Sequence, residues 1–469
     1  MDSYLQYSLL EIAGLIRKGE VSSVEVTREC LDRISQTNEY HTFISVYEEE
    51  AMASARACDI LRDNKIFLGS LHGVPIALKD NIFLEGFVTT AGSKILKDFI
   101  PEYDATVAAR LKSAGAVIIG KTNMHEFAWG GTTENPHYGS AANAWDKTRN
   151  PAGSSGGSGA AVALGCCYAA LGTDTGGSVR LPSAVNGITG IRPSIGRVSN
   201  YGVVPLAYSE DTVGPMARNV KDCAALFQVL AGYDYHDKTT VLTGTCDYTK
   251  DIEKGVDGIR LGIIKDYSMF HNQEDVQKRY EEALGVFKKM GAIIKEIELP
   301  DIDCLIDAQL IIDAVEPSTI HLDYLRKQPE NYGEDVRVLL EAGSMFTGTQ
   351  YMQALQYRTI FKEEVEEALK EVDAIVTPTL PFTALKIGQN KIEIEDGVVE
   401  DNLSANMRYT AIASVSGKPA LSIPIGFDRN KMPVGMQLLG RSFEEALLFR
   451  IGNAYQSVTE FHTMTPVGM

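Results

Sequence analysis

Residues 73–220 repeat one short pattern: an apolar run of four or five residues, then a glycine or a charge. VPIAL stops at Lys79, AVII at Gly120 and YAAL at Gly172. Runs this short and this apolar read as buried strands. Helical stretches such as residues 105–113 lie between them. Strands without a polar face need cover on both sides, and interleaved helices supply it. The pattern predicts an α/β fold: a single large domain over residues 1–469, with a mixed, twisted β-sheet covered by helices on both faces.

The flanks fit this plan. Residues 8–60 read as helical, with Ser8/Glu11 and Ser22/Glu25 placed as capping boxes and Gly19 as a break between them. Residues 70–220 form the core. Residues 236–258 are polar and aperiodic, a surface connection, and residues 259–469 resume the alternation as a second, substrate-side α/β half. There GIRLGII, DAIVTPTLP and KPALSIPIGF read as strands, and residues 272–290 and 350–372 as helices.

A formal charge of -18 disfavours nucleic acid and anionic membranes as direct partners. The longest apolar or small run, GAAVALGCCYAALG, is shorter than the ~18 residues of a membrane span and reads as a buried helix leading into a strand. No basic leader opens the chain. Seven cysteines without a CxxC pair read as free thiols in a reducing compartment, which points to the cytoplasm.

Glycine is concentrated: residues 153–202 hold twelve of the 42. Two motifs among the glycines mislead. GAVIIGKT, residues 115–122, spells a P-loop, but its variable positions are themselves the apolar run, where a phosphate loop should follow a strand. GSSGG, residues 153–157, spells a nucleophile elbow, but polar AWDKTRNPA precedes it where a strand is required. The histidines show no metal-binding spacing.

The third motif is DTGGS, residues 174–178, between a short strand and a helix start. Glycines before a serine bare the amides of Thr175, Gly176, Gly177 and Ser178, which suits an oxyanion. A plain glycine turn with a capping serine is the competing reading. The motif has company, however. PAGSSGGSGAAVA opens another helix, and Lys79 ends the strand in GVPIALKDN. A lysine ending a buried strand is desolvated, its pKa falls, and it can act as a neutral base where histidine is absent. The competing reading is a snorkelling lysine.

GVPIALKDNI, GKTNMHEFAWGG, NPAGSSGGSGAAVA and LGTDTGGSVRLPSAVNGITGIRPSIGRVS together resemble the amidase signature family. The resemblance implies a serine–cis-serine–lysine triad: Ser178 as nucleophile, Ser154 as bridge and Lys79 as base. Family spacing selects Ser154 over Ser155 and implies a cis peptide at Gly153–Ser154. Asp174 and Arg180 would brace the loop. Trp129, Gly130 and Gly131 fall where the family lines its pocket. The implied activity is hydrolysis of a small-molecule amide through an acyl-enzyme, without metal or organic cofactor; a homodimer is compatible with it.

The alternative is the glutaminase component of a tRNA-dependent amidotransferase. GEDVRVLLEAGSMFTGTQYMQALQYR resembles its helical region, and Arg358 matches the arginine that holds the glutamine carboxylate. A structural ion pair is the competing role for Arg358. The stretch ANMRYTAIASVSGKP departs from that component: Met407 stands where an aspartate grips the glutamine ammonium. This departure favours a free-standing hydrolase, and a substrate with a carboxylate but no amino group.

Overall fold

The computed structural model describes residues 3–269, 271–394 and 397–466. The two capping boxes form as read. Ser8 and Ser22 accept from the amides of Glu11 and Glu25, whose carboxylates accept in return, and helices Leu9–Lys18 and Ser23–Gln36 follow. Gly19 ends the first helix in the left-handed conformation, at φ 74°.

The apolar runs become strands, in chain order β1 (Phe43–Val46), β2 (Pro75–Lys79), β3 (Val117–Thr122), β4 (Ala169–Asp174), β5 (Thr189–Arg192) and β6 (Thr212–Ala217). The second half adds β7 (Arg260–Ile263), β8 (Ile293–Glu296) and β9 (Ala374–Pro378). A small hairpin of β10 (Lys391–Glu393) and β11 (Val399–Asp401) precedes β12 (Ala420–Phe427) and β13 (Pro433–Leu439). Outside the hairpin, the strands join one sheet in the order β1-β3-β2-β4-β6-β5-β12-β13-β9-β7-β8. The sheet is mixed: β2 runs parallel to β3 and β4, while β6, β5, β12 and β13 alternate in direction. Every residue of β2, β4, β5 and β6 is buried. Successive side chains point to opposite faces, so both faces of the sheet centre are covered.

Two boundaries differ from the sequence reading. Residues 43–46, inside the stretch that reads as helical, form edge strand β1, paired antiparallel with β3. Four residues between helices are too few for a period to declare itself; pairing decides their state. Strand β3 also runs on through Gly120, Lys121 and Thr122. The P-loop lettering is thus strand, and fully buried Lys121 faces buried Asp80 at 3.3 Å.

Candidate active site

Strand β2 delivers Lys79 to the middle of the sheet, beside β4 on one flank and β3 on the other. Its side chain is fully buried. Nζ donates to Ser154 Oγ at 2.7 Å and to Thr173 Oγ1 at 2.8 Å. Burial lowers the lysine pKa to about 7, against the opposing pull of Asp211 and Asp174. Asn81 also donates to Thr173 Oγ1, at 3.2 Å.

Ser154 sits in the loop before helix Gly156–Ala163, and the Gly153–Ser154 peptide is cis. Thr133 Oγ1 donates to Ala152 O at 2.8 Å and receives the Gly156 amide at 3.1 Å, which pins the loop. Ser155 has a different task. Its hydroxyl donates to Thr173 O at 3.1 Å and accepts the Thr173 amide at 3.2 Å, tying the loop to β4. Of the two serines, only Ser154 is given the hydrogen bond from Lys79.

Strand β4 ends at Asp174, and residues 175–179 turn into helix Arg180–Asn186. The Ser155 amide donates to Ser178 O at 3.2 Å, holding the two serine loops together. Gly177 has φ 132°, and a Cβ there would stand 2.7 Å from Thr410 Oγ1. Glycine alone satisfies both demands. Among the described residues, no hydrogen bond engages the amides of Gly176, Gly177 or Ser178. Ser178 is 8% exposed.

Asp174 organises this turn from below. It accepts Arg180 Nε at 3.0 Å, Arg180 Nη2 at 2.9 Å, Arg192 Nη1 at 3.2 Å and the Val179 amide at 3.1 Å. Burial pushes its carboxyl up, but the two guanidiniums and these hydrogen bonds outweigh it and hold the pKa well below the usual range. Arg180 extends the brace to Thr410 O, Gln437 Oε1 and Ser414 Oγ at 2.8–3.0 Å. Nothing free to transfer a proton remains on either side chain.

Ser178 opens onto a cavity of about 30 Å³ lined by Trp129, Gly130, Gly131, Gly153, Gly176, Leu181, Asp313 and Met407, among others. Wider grooves exist, one of about 850 Å³ edged by Arg218 and Gln456, but they lie away from the lysine–serine cluster. Trp129, Gly130 and Gly131 thus reach the Ser178 cavity. Arg358 does not line it. Its guanidinium donates to Ser209 Oγ and O, both at 2.7 Å, and to Val415 O at 3.2 Å, with Glu210 at 3.9 Å. Its structural partners are therefore chiefly carbonyl and hydroxyl oxygens.

The sequence reading missed Thr173, Asn81, Asp211 and Asp313. Asp211 accepts Thr175 Oγ1 at 2.6 Å and so holds the start of the serine turn. Only the parallel register of β2 and β4 could have placed Thr173 beside Lys79.

This architecture has relatives. The family model described as Amidase matches residues 25–449. The chain belongs to the amidase family. Amide hydrolysis is the chemistry that membership assigns to it. Along nearly its whole length this amidase is similar to proteins that carry the name of the first, or GatA-type, component of glutamyl-tRNA(Gln) amidotransferase. That of Chloroflexus aurantiacus is 40% identical over 474 residues, with 96% of each chain covered. That of Myxococcus xanthus is 38% identical over 481 residues, with 97% of each covered. Among solved structures, one from a vestigial protein complex bearing on the origins of an s-triazine catabolic enzyme superposes with TM-score 0.93. It is 31% identical and covers 99% of this amidase and 100% of itself. The structure of the same amidotransferase component from Thermotoga maritima has TM-score 0.83 at 34% identity, covering 100% and 98%.

Proposed function

We propose that the protein hydrolyses carboxamides through an acyl-enzyme on Ser178, with Ser154 and Lys79 as proton relay. The observation that carries this is the 2.7 Å contact of Lys79 with Ser154, made by a lysine whose burial brings its pKa to about 7. Neutral Lys79 takes the Ser154 proton while Ser154 takes that of Ser178. Ser178 Oγ bonds to the amide carbon, and the developing oxyanion meets the unengaged amides of Gly176, Gly177 and Ser178, with Thr175 beside them. The relay returns the proton to the nitrogen, the C–N bond breaks, and ammonia or an amine leaves. Water, deprotonated by the same relay, then frees the acid.

Trp129, Gly130 and Gly131 shape the acyl pocket in this reading, and Asp174 and Arg180 are positioning residues. The cysteines support a cytoplasmic site of action: they are free thiols, two of them exposed. Among the described residues no helix is long and apolar enough to cross a membrane.

A second reading has a specific observation behind it. Full-length similarity to amidotransferase components supports a glutamine-hydrolysing chain that works within a complex better than it supports a self-sufficient hydrolase. It also supports a partner chain ahead of a homodimer. The departure at Met407 pulls the other way. Release of ammonia and amines by the purified chain, over aliphatic amides, aryl acylamides, ureido acids and glutamine, tests both. Turnover of a non-glutamine amide that drops about 10⁴-fold or more in Ser178→Ala establishes the free-standing enzyme. Activity on glutamine alone establishes the complex-bound reading, and turnover unaffected by Ser178→Ala sinks the acyl-enzyme.

A further inference from the structure

Among the described residues lining the Ser178 cavity, Asp313 is the one with a charged side chain. It comes from helix Leu305–Lys327 and is 1% exposed. Its Oδ1 has no hydrogen-bond partner among the described residues. Its Oδ2 lies 3.5 Å from where a Cβ on Gly176 would stand, so the carboxyl abuts the serine turn itself. Gln309 is one helical turn earlier, on the same face. Its Nε2 donates to Glu210 Oε2 at 3.2 Å, and its Oε1 is also without a partner among the described residues.

The surroundings decide what could complete this pair. Glu210, Asp211 and Glu316 stand close enough to raise the Asp313 pKa electrostatically. Asp211 is satisfied by Thr175 and the Leu206 amide, and Glu316 by Ser209 and Tyr351. Of the nearby cations, Arg192 serves Asp174, and Arg358 serves Ser209. Carboxyls outnumber cations, and the two orphaned atoms are both acceptors. A buried acceptor without a partner is costly, and a ligand with several N–H donors and a positive charge answers the need. The rest of the cavity is largely apolar or glycine: Trp129, Leu181, Leu206, Leu403 and Met407 offer a wall for carbon.

We propose that Asp313, flanked by Gln309, is the specificity-determining residue of this site and receives a protonated amine on the acyl part of the substrate. This rests on the acyl-enzyme reading for Ser178. Burial, reinforced by Glu210, Asp211 and Glu316, pushes the empty Asp313 carboxyl well above its ordinary range. Arrival of an ammonium reverses that, as an opposite charge favours the carboxylate.

The probes are matched amide pairs: 3-aminopropanamide with butanamide, 4-aminobutanamide with pentanamide, and 5-aminopentanamide with hexanamide. Each pair exchanges an ammonium for a methyl. The wild-type enzyme is expected to favour at least one amine over its partner by about tenfold or more in kcat/KM, a modest return for a buried charge pair. In Asp313→Asn the ratio falls to about one or below. Wild-type enzyme that favours every methyl partner, or a ratio that survives Asp313→Asn, overturns the proposal. The wild-type ratio decides alone if the variant does not fold. Where no amide is turned over, the acyl-enzyme reading has failed, and binding decides the subsite separately. Ser178→Ala protein titrated calorimetrically should bind an amine more tightly than its partner, and the double variant with Asp313→Asn should not; equal affinity, or no binding, overturns it.

Discussion

At the residue scale the site turns on one lysine denied water. An ordinary lysine is a cation at neutral pH and cannot act as a base. Burial disfavours the charged form, and Lys79 reaches a pKa of about 7 although Asp211 and Asp174 resist. The active form is the neutral amine, so protonation removes activity. The kcat/KM profile is expected to fall about tenfold per pH unit below an acid limb near pH 7. A limb near 4–5 would assign it to a carboxylate instead. Asp174 illustrates the opposite sign. Its folded pKa is depressed, so its contribution is present above the unfolded carboxylate value and is lost as pH falls through the folded one. Asp174→Asn leaves two buried guanidiniums short of their counter-charge, and an unfolding free energy lower by about 3–5 kcal/mol is expected at pH 7. Urea denaturation measures it, and a loss under about 1 kcal/mol would contradict the argument.

Elements hold the site by joining loops to strand ends. The turn after β4 is fixed by Asp174 below, Asp211 at Thr175, and Thr410 Oγ1 donating to Gly176 O at 2.6 Å. Gly177→Ala places a methyl 2.7 Å from Thr410 Oγ1 at φ 132°, both unfavourable for an L-residue. Activity is expected to fall about 100-fold or more as the oxyanion amides are displaced, with kcat affected more than KM; wild-type kcat would show that these amides do no work. What was legible in the sequence follows the same division. Chain-local features could be read directly: the capping boxes at Ser8 and Ser22, the apolar runs of β2 to β4, and the break at the P-loop lettering. Lys79, Ser154 and Ser178 were legible as residues, but their roles came through resemblance. Thr173, Asn81, Asp211 and Asp313 were hidden, because each matters through a partner far along the chain that only sheet register or helix packing supplies. Asp313 lies in a helix interrupted in sequence by Pro317, where no clean period announces an inward face.

At the scale of the whole molecule, the sheet order refuses a division at residues 236–258. Strand β5 of the first half pairs with β12 of the second, Ala420 opposite Arg192 and Ser422 opposite Gly190. Arg180, next to the serine turn, bonds Thr410, Ser414 and Gln437 across the same seam. A fragment of residues 1–258 would therefore expose a long strand edge and leave a buried guanidinium with part of its shell missing. The two halves are expected to unfold together. The two tryptophans, Trp129 and Trp145, both lie in the first half, so their fluorescence reports that half alone while far-ultraviolet circular dichroism reports the whole. Under urea the two signals should share one midpoint, the signature of a cooperative transition. A fluorescence midpoint well above or below the dichroism midpoint, or a 1–258 fragment that folds alone with native tryptophan emission, would show that the seam is an interface between two independent units.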